Sequence, residues 1–252
     1  MLSSNLSNGI FHRVEKKYIL NCGQYDVITD ELHKRMELDI YSQQGQAYGV
    51  QSLYYDTPGH ALVSESLSNR QYKEKLRLRS YGQPQPEDLV YIEIKKKING
   101  VGCKRRCRVR LDQAYRFLDG GLFPDSPEEG SMQLLREIYA MLCRYGMELG
   151  PSVHISASRL AFAGRGDAGL RITFDSDVLG RTDDLLLESG KYGGMLLGPG
   201  QYVMEVKTFG SMPLWLTGLL ASARAFPQSF SKHRAVYYNK LIQMKKAVTT
   251  YA

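Results

Sequence analysis

No stretch of this sequence is long and apolar enough to cross a membrane. The apolar-rich uncharged run Ser211 to Ala223 falls far short of the roughly 20 residues a spanning helix needs. Met1 to Lys17 also has no apolar run of the kind that opens a secretory signal. The expectation is a soluble, cytoplasmic chain with no membrane span of its own. Cysteine is scarce: Cys22, Cys103, Cys107 and Cys143 form no CxxC pair, and the five histidines form no HExxH. Neither a structural zinc site nor a dithiol redox motif is therefore written here, and reduced thiols are expected. There is no GxxxxGK[ST] loop, and Gly164-Arg165-Gly166-Asp167-Ala168-Gly169, which spells G-x-G-x-x-G, leads into the strand pattern Leu170–Asp177 where a dinucleotide fingerprint opens a helix. Any handling of nucleotides must go by another route. Internal repeats and long interdomain linkers are missing as well.

What is present is enough apolar material for one sizeable core. The chain has 252 residues, 43% hydrophobic and 23% charged, a mixture that excludes disordered and collagen-like classes. One domain spanning residues 1–252 is expected. Lys and Arg number 33 against 26 Asp and Glu, and the net charge of +7 favours an anionic partner.

Period-two alternation predicts strands over Phe11–Leu20, Gln51–Asp56, Lys75–Tyr81, Val90–Lys97, Cys103–Leu111, Val153–Phe162, Leu170–Asp177 and Tyr202–Phe209. Asp56-Thr57-Pro58-Gly59 supplies turn chemistry after the second of these. Helical periodicity covers Tyr25–Ile40, Ser131–Tyr145, Pro213–Ala225 and Ser229–Val248, and Pro213 suits a first helical position. Gln83–Asp88, Gly120–Gly130 and Glu188–Gly200 read as surface loops. Cys103 and Cys107 share a strand face and are expected to pack beneath helices. Trp215 is expected to pack its helix on the strands, and His154 and His233 to be scaffold.

The strands' polar faces are unusually charged. One side of each carries Arg13, Glu15 and Lys17; Lys75, Arg77 and Arg79; Glu93, Lys95 and Lys97; Lys104, Arg106, Arg108 and Arg110; Arg159; Arg171, Thr173 and Asp175; or Glu205 and Lys207. A solvated sheet gains little from such crowding, because like charges on neighbouring strands repel. Closure into a barrel with these faces inward would make a wet, electropositive tunnel with helices over its apolar exterior. Phosphate suits such a lining, since Arg offers forked donors and Lys a compact charge. Arg77, Arg79, Lys95, Lys104, Arg106, Arg159, Arg171 and Lys207 would form the clamp. The acids Glu15, Glu93 and Glu205 among them point to Mg²⁺ or Mn²⁺ bridging carboxylate and phosphate oxygens.

Seven fragments occur in a familiar order: Glu15-Lys16-Lys17-Tyr18, Ser52-Leu53-Tyr54-Tyr55-Asp56-Thr57, Lys75-Leu76-Arg77-Leu78-Arg79, Ile92-Glu93-Ile94-Lys95, Leu170-Arg171-Ile172-Thr173-Phe174-Asp175, Glu205-Val206-Lys207 and Ser231-Lys232. In these the chain resembles the bacterial VTC-domain polyphosphate polymerases of the triphosphate tunnel metalloenzyme (CYTH-like) superfamily. The resemblance implies an α+β fold: a closed eight-stranded antiparallel β-barrel forming a basic tunnel, with helices packed on the outside. It also implies transfer of the γ-phosphoryl group of ATP onto inorganic polyphosphate, assisted by Mn²⁺ or Mg²⁺. Arg77, Arg79, Lys95, Arg171 and Lys207 would act on the reacting phosphates, and Lys17, Lys75, Lys104, Arg106, Arg159 and Lys232 would hold triphosphate and polymer. Glu205 would be the principal metal ligand. Side-chain parity adds Glu93 and Glu15 as supporting ligands or water-holders. The amino-terminal phosphate-sensing module and membrane helices of the fungal relatives are not expected here, so any membrane partner would be a separate polypeptide.

A terminal phosphate of polyphosphate is already ionised and can attack in line without a general base. Hydrolysis instead needs an ordered water, so an inorganic or nucleoside triphosphate hydrolase remains the first alternative. A non-catalytic polyphosphate-binding module is another. A nucleic-acid binder is not expected, since no recognition motif appears and acids on the charged faces would oppose a polynucleotide backbone.

Overall fold

The computed structural model describes residues 13–42, 45–68, 71–99, 101–167 and 169–239. In chain order the elements are β1 (Arg13–Leu20), α1 (Cys22–Arg35), β2 (Met36–Leu38), β3 (Tyr48–Asp56), α2 (Ala61–Ser68), β4 (Tyr72–Tyr81), β5 (Leu89–Ile98), β6 (Val101–Arg110), α3 (Leu111–Gly120), α4 (Ser131–Arg144), β7 (Gly150–Gly164), β8 (Arg171–Arg181), β9 (Gly194–Met195), β10 (Tyr202–Phe209) and α5 (Leu214–Ser222). Residues 232–239 are helical as well. Each of the eight expected strands is found, as β1, β3 to β8 and β10. Phe11 and His12 of the first, and the end of the last expected helix beyond residue 239, lie outside the described residues.

The strands form one sheet in the order β1-β10-β8-β7-β3-β4-β5-β6, with β2 added to β7 and β9 to β8. The order ends at β1 and at β6, and among the described residues no ladder joins those two ends. The closed barrel is therefore corrected to an open antiparallel sheet in an α+β fold. The physical reason is legible on β6, where Lys104, Arg106, Arg108 and Arg110 stand exposed. Charge of one sign along an edge strand disfavours the addition of a further strand.

The described residues fall into two compact units. One is built from β1, α1, β2, β10, α5, the end of β7 from Arg159 and the start of β8 to Ser176. Its core packs Tyr18 and Leu20 of β1, Phe162, Phe174, Met204 and Val206 against Ile28 and Leu32 of α1 and Leu216 of α5. Trp215 packs against this core, as expected. The other unit holds β3 to β6, α2 to α4, the remainder of β7 and β8, β9, and the helix over 232–239. Its core sets Leu53, Leu76, Leu78, Ile92 and Ile94 against Phe117, Leu135, Ile138 and Leu142 of α3 and α4. Cys107 joins it, whereas Cys103 is exposed, because β6 outruns the helices that cover it.

Local chemistry explains the boundaries that period counting missed. Asn21 accepts a hydrogen bond from the Gln24 amide at 2.9 Å while the Gln24 side chain accepts from the Asn21 amide at 3.1 Å. This reciprocal cap starts α1 at Cys22, ahead of the expected Tyr25. The helix stops at Arg35, since Met36–Leu38 pair with Phe162–Gly164 as β2 where more helix was expected. The turn after β3 leads into α2, unexpected from periodicity. The buried Asp56 carboxylate accepts from the amides of Thr57, Leu62 and Val63 at 2.8, 2.8 and 3.0 Å and so caps that helix. Helix α3 was also missed. Its buried Leu111, Ala114, Phe117 and Leu118 follow helical spacing, and it ends at Gly121, whose φ of 72° suits glycine.

Candidate active site

In the unit containing β3 to β6, strand alternation puts Ser52 and Tyr54 of β3, Lys75, Arg77 and Arg79 of β4, Tyr91, Glu93 and Lys95 of β5, and Lys104 and Arg106 of β6 on one face. The opposite face is the apolar core. Directly across the ladders, Lys73 faces Lys97, Lys75 faces Lys95, and Lys95 faces Lys104. Three like-charge pairs in register destabilise a sheet unless something anionic lies over them.

Glu93 is the acid at the centre of this face, only 1% exposed. Arg77 Nε donates to its Oε2 at 2.7 Å, Arg77 Nη2 lies 2.6 Å from the same oxygen, and Lys104 Nζ lies 2.7 Å from Oε1. Burial works against the carboxylate's charge, but Arg77, Arg79 and Lys104 overcome it and pull its pKa down to about 2. Partial desolvation of its ammonium against Glu93, together with the charges of Arg77 and Arg79, pushes Lys104 down to about 8, with Glu93 only partly offsetting. Arg77 Nη1 also donates to Tyr54 Oη at 2.8 Å, and Arg79 Nε donates to Ser52 Oγ at 3.2 Å. Burial would raise the Tyr54 phenol, yet the cations Arg77, Arg79 and Lys75 bring it down to about 7. Its ring stacks on His233 with centroids 4.5 Å apart. Burial first, then Lys75, His60 and Arg77, depresses His233 to about 3 and keeps it neutral. Lys232 stands beside it at the start of the helix over 232–239, as expected.

In the unit containing β1, β10 and the start of β8, a second charged face is built the same way. Lys17 lies opposite Glu205, Glu15 opposite Lys207, Glu205 opposite Thr173 and Lys207 opposite Arg171. Lys17 Nζ sits 3.6 Å from Glu15 Oε1 and 3.3 Å from Glu205 Oε1, so one ammonium is shared by two carboxylates. Lys207 Nζ donates to Glu205 Oε2 at 2.9 Å. Arg159 grips Asp175 through Nε and Nη2 at 2.6 and 2.8 Å, and Arg171 Nη2 donates to Asp39 at 2.9 Å. Arg171 Nε and Thr173 Oγ1 are buried without a hydrogen-bond partner among the described residues. Such atoms are costly to leave unmet, by about 1–3 kcal/mol each, and their place beside Glu205 and Lys207 suits a polar ligand.

The candidates thus divide between two faces. Arg77, Arg79, Lys75, Lys95, Lys104, Arg106, Glu93 and Lys232 belong to one unit, and Lys17, Arg159, Arg171, Lys207, Glu15 and Glu205 to the other. Among the described residues no group of three or more His, Cys, Asp or Glu is gathered to hold a metal ion. The donor chemistry of Glu15 and Glu205 nevertheless fits Mg²⁺ or Mn²⁺, which take oxygen ligands and commonly use one or two carboxylates with phosphate and water. The cation now between these two carboxylates, Lys17, marks where positive charge is favoured. Glu93, the third acid candidate, has both oxygens held by Arg77 and Lys104. Sequence reading missed Tyr54, Ser52 and Asp39. Parity on β3 could have found the first two; Asp39 follows β2, which had no signal of its own.

The profile of the VTC domain matches residues 12–238. A search of curated proteins finds no match. Among solved structures, an adenylate cyclase candidate from Bacillus halodurans is similar with a TM-score of 0.52 at 16% identity, over 88% of this chain and 96% of that one. An adenylyl cyclase candidate from Hippeastrum, described with a dominant triphosphatase activity, is similar with a TM-score of 0.52 at 15% identity, over 90% of this chain and 96% of that one. At such identity the likeness is one of fold.

Proposed function

Because the chain belongs to the VTC domain family, we propose that it is a metal-dependent polyphosphate polymerase, transferring the γ-phosphoryl group of ATP onto inorganic polyphosphate. The observation that carries this reading is the set of like-charge ladders Lys73–Lys97, Lys75–Lys95 and Lys95–Lys104, crossing a face whose central acid, Glu93, is already committed to Arg77 and Lys104. A folded protein tolerates such repulsion where a polyanion reverses its sign. The Arg77 and Arg79 guanidiniums offer forked donors for phosphate oxygens, held in place by Tyr54, Glu93 and Ser52. In the other unit Arg171 offers a fork of the same kind and Lys207 a compact charge beside Glu205, with Lys17 and Arg159 supporting. Lys95, Lys104, Lys75, Arg106 and Lys232 add charge along the path of the polymer.

Glu205 and Glu15 would hold Mg²⁺ or Mn²⁺, with Glu93 as a further ligand candidate. When bound, the metal would supply charge neutralisation at phosphate oxygens. The chain's own residues do the rest: they hold the donor triphosphate, hold the acceptor terminus in line with it, and neutralise charge developing on the transferred group. No protein nucleophile or general base is required, because the attacking phosphate oxygen is already ionised.

A second reading is a triphosphatase, favoured by the activity described for the Hippeastrum protein of similar fold. Incubation with ATP and Mn²⁺, followed by gel separation of the products, distinguishes the two. Long phosphate chains are expected; orthophosphate as the sole product refutes the polymerase. Among the described residues no helix is long and apolar enough to cross a membrane.

A further inference from the structure

Beside the Arg77–Glu93–Lys104 cluster, the same strand face carries a row of rings that phosphate chemistry does not explain. Tyr48 of β3 and Tyr81 of β4 lie with ring centroids 5.9 Å apart, and Tyr81 meets Tyr91 of β5 edge-on at 5.8 Å. Arg106 of β6 lays its guanidinium over the Tyr91 ring, 4.5 Å from the centroid. The three tyrosines are half-buried and Arg106 is exposed, so the row borders solvent on the charged side of the strands, away from the apolar core. Tyr91 is the direct cross-strand partner of Arg79, and Tyr81 follows Arg79 by two residues on β4.

We infer that the Tyr81–Tyr91–Arg106 row is a nucleobase platform that takes the purine ring of the phosphoryl donor while its phosphates lie on Arg79 and Arg77. The inference rests on the reading of this face as the site of the triphosphate donor and deepens it, by giving the donor's base a place of its own and a reason for a purine to be preferred over a bare phosphate chain. A planar cation stacked on an aromatic ring, with a second ring edge-on to it, is the surface on which heterocyclic bases stack. Geometry supports the placement. From Arg77 to Tyr81 the strand advances about 13 Å at ~3.3 Å per residue, comparable with the reach of an extended nucleoside triphosphate from its terminal phosphate to its base. An inorganic polyphosphate has no ring to place there and gains nothing from the row. The platform thus separates donor from product by chemistry: the base-bearing substrate gains an extra contact that the polymer lacks.

The test compares ATP with ribose 5′-triphosphate, which has the same phosphates and sugar without the base, by calorimetric titration of the full chain with Mg²⁺. ATP is expected to bind about 5- to 100-fold more tightly, the worth of one stacked base, and CTP, with its smaller ring, to fall between them. Tyr91→Leu and Tyr81→Leu should bring the ATP to ribose triphosphate ratio towards one while ribose triphosphate binding is kept. Tyr91→Phe should preserve the wild-type ratio. Equal affinities for the two ligands in the wild-type chain overturn the platform and leave the triphosphate site standing, as does a ratio that survives both leucine substitutions. Failure of the wild-type chain to bind either ligand overturns the site itself and the platform with it. The wild-type ratio needs no variant, so a substitution that prevents folding does not shield the proposal.

Discussion

Replacing Glu93 with glutamine keeps the side chain's size and removes its charge, which isolates what the carboxylate does at the centre of the basic face. In the native chain it faces Arg77 and Lys104 at 2.6–2.7 Å with almost no access to water. Its pKa, held at about 2 against an ordinary 4.5, corresponds to roughly 3 kcal/mol favouring the charged form. Removing one partner of a buried ion pair typically costs about 3–5 kcal/mol, because the remaining charge is left uncompensated. Glu93→Gln should therefore lower unfolding stability by about 3 kcal/mol at neutral pH, seen as a reduced urea midpoint at unchanged slope. The dependence on pH has a definite sign. A depressed carboxylate pKa contributes stability that is fully present above the ordinary value of 4.5 and is lost as pH falls towards 2. The gap between wild type and variant should accordingly close across that window. Inorganic tripolyphosphate, by resupplying negative charge over Arg77, should restore part of the lost midpoint through preferential binding to the folded state. A loss below about 1 kcal/mol, the range of exposed surface pairs, would refute the claim that this is a buried, charge-balanced cluster.

Glu205→Ala should abolish metal-dependent turnover while leaving binding of polyphosphate intact, measured as product formation against retention of a labelled polyphosphate; unchanged turnover removes Glu205 from the metal site. Asp56→Ala takes an acceptor from the amides of Leu62 and Val63 in the first turn of α2 and of Thr57 in the turn before it, and should cost about 2 kcal/mol, at the upper end for helix caps because the carboxylate is buried, readable as a fall in thermal midpoint. Acid should destabilise the chain well before the carboxylates titrate. His154 and His233 are held neutral with pKa values near 3, so the unfolded chain takes up protons below about 6.5 that the folded one resists. Stability is expected to decline from pH 6.5 towards 3, and His233→Gln should flatten that decline in urea titrations.

How much of this was legible in the amino-acid order depended on the length scale of the cause. Parity along β4, β5 and β6 gave the charged face and its apolar reverse, because alternation in an extended chain is a property of consecutive residues. Arg77, Arg79, Lys95, Lys104 and Glu93 could be placed on one surface from that parity alone. Caps and short elements were less visible. Asp56 reads as a turn former, and only the folded chain shows its carboxylate collecting the amides of Leu62 and Val63 to begin α2. Met36–Leu38 sits in a helical pattern, but pairing with Phe162–Gly164, remote in sequence, outweighed local preference.

The sequence by itself determined the eight long strands, the excess of cations on alternate positions, and the family. Tertiary structure decided which charges neutralise which: Glu93 with Arg77 and Lys104, Lys17 between Glu15 and Glu205, Arg159 with Asp175. It also decided that the sheet stays open at β6 and that Tyr54 and Tyr91 stand among the arginines. Strand register is the reason. One residue's slip between neighbours would change every cross-strand partner, and no count of residues along a single strand fixes its alignment with the next.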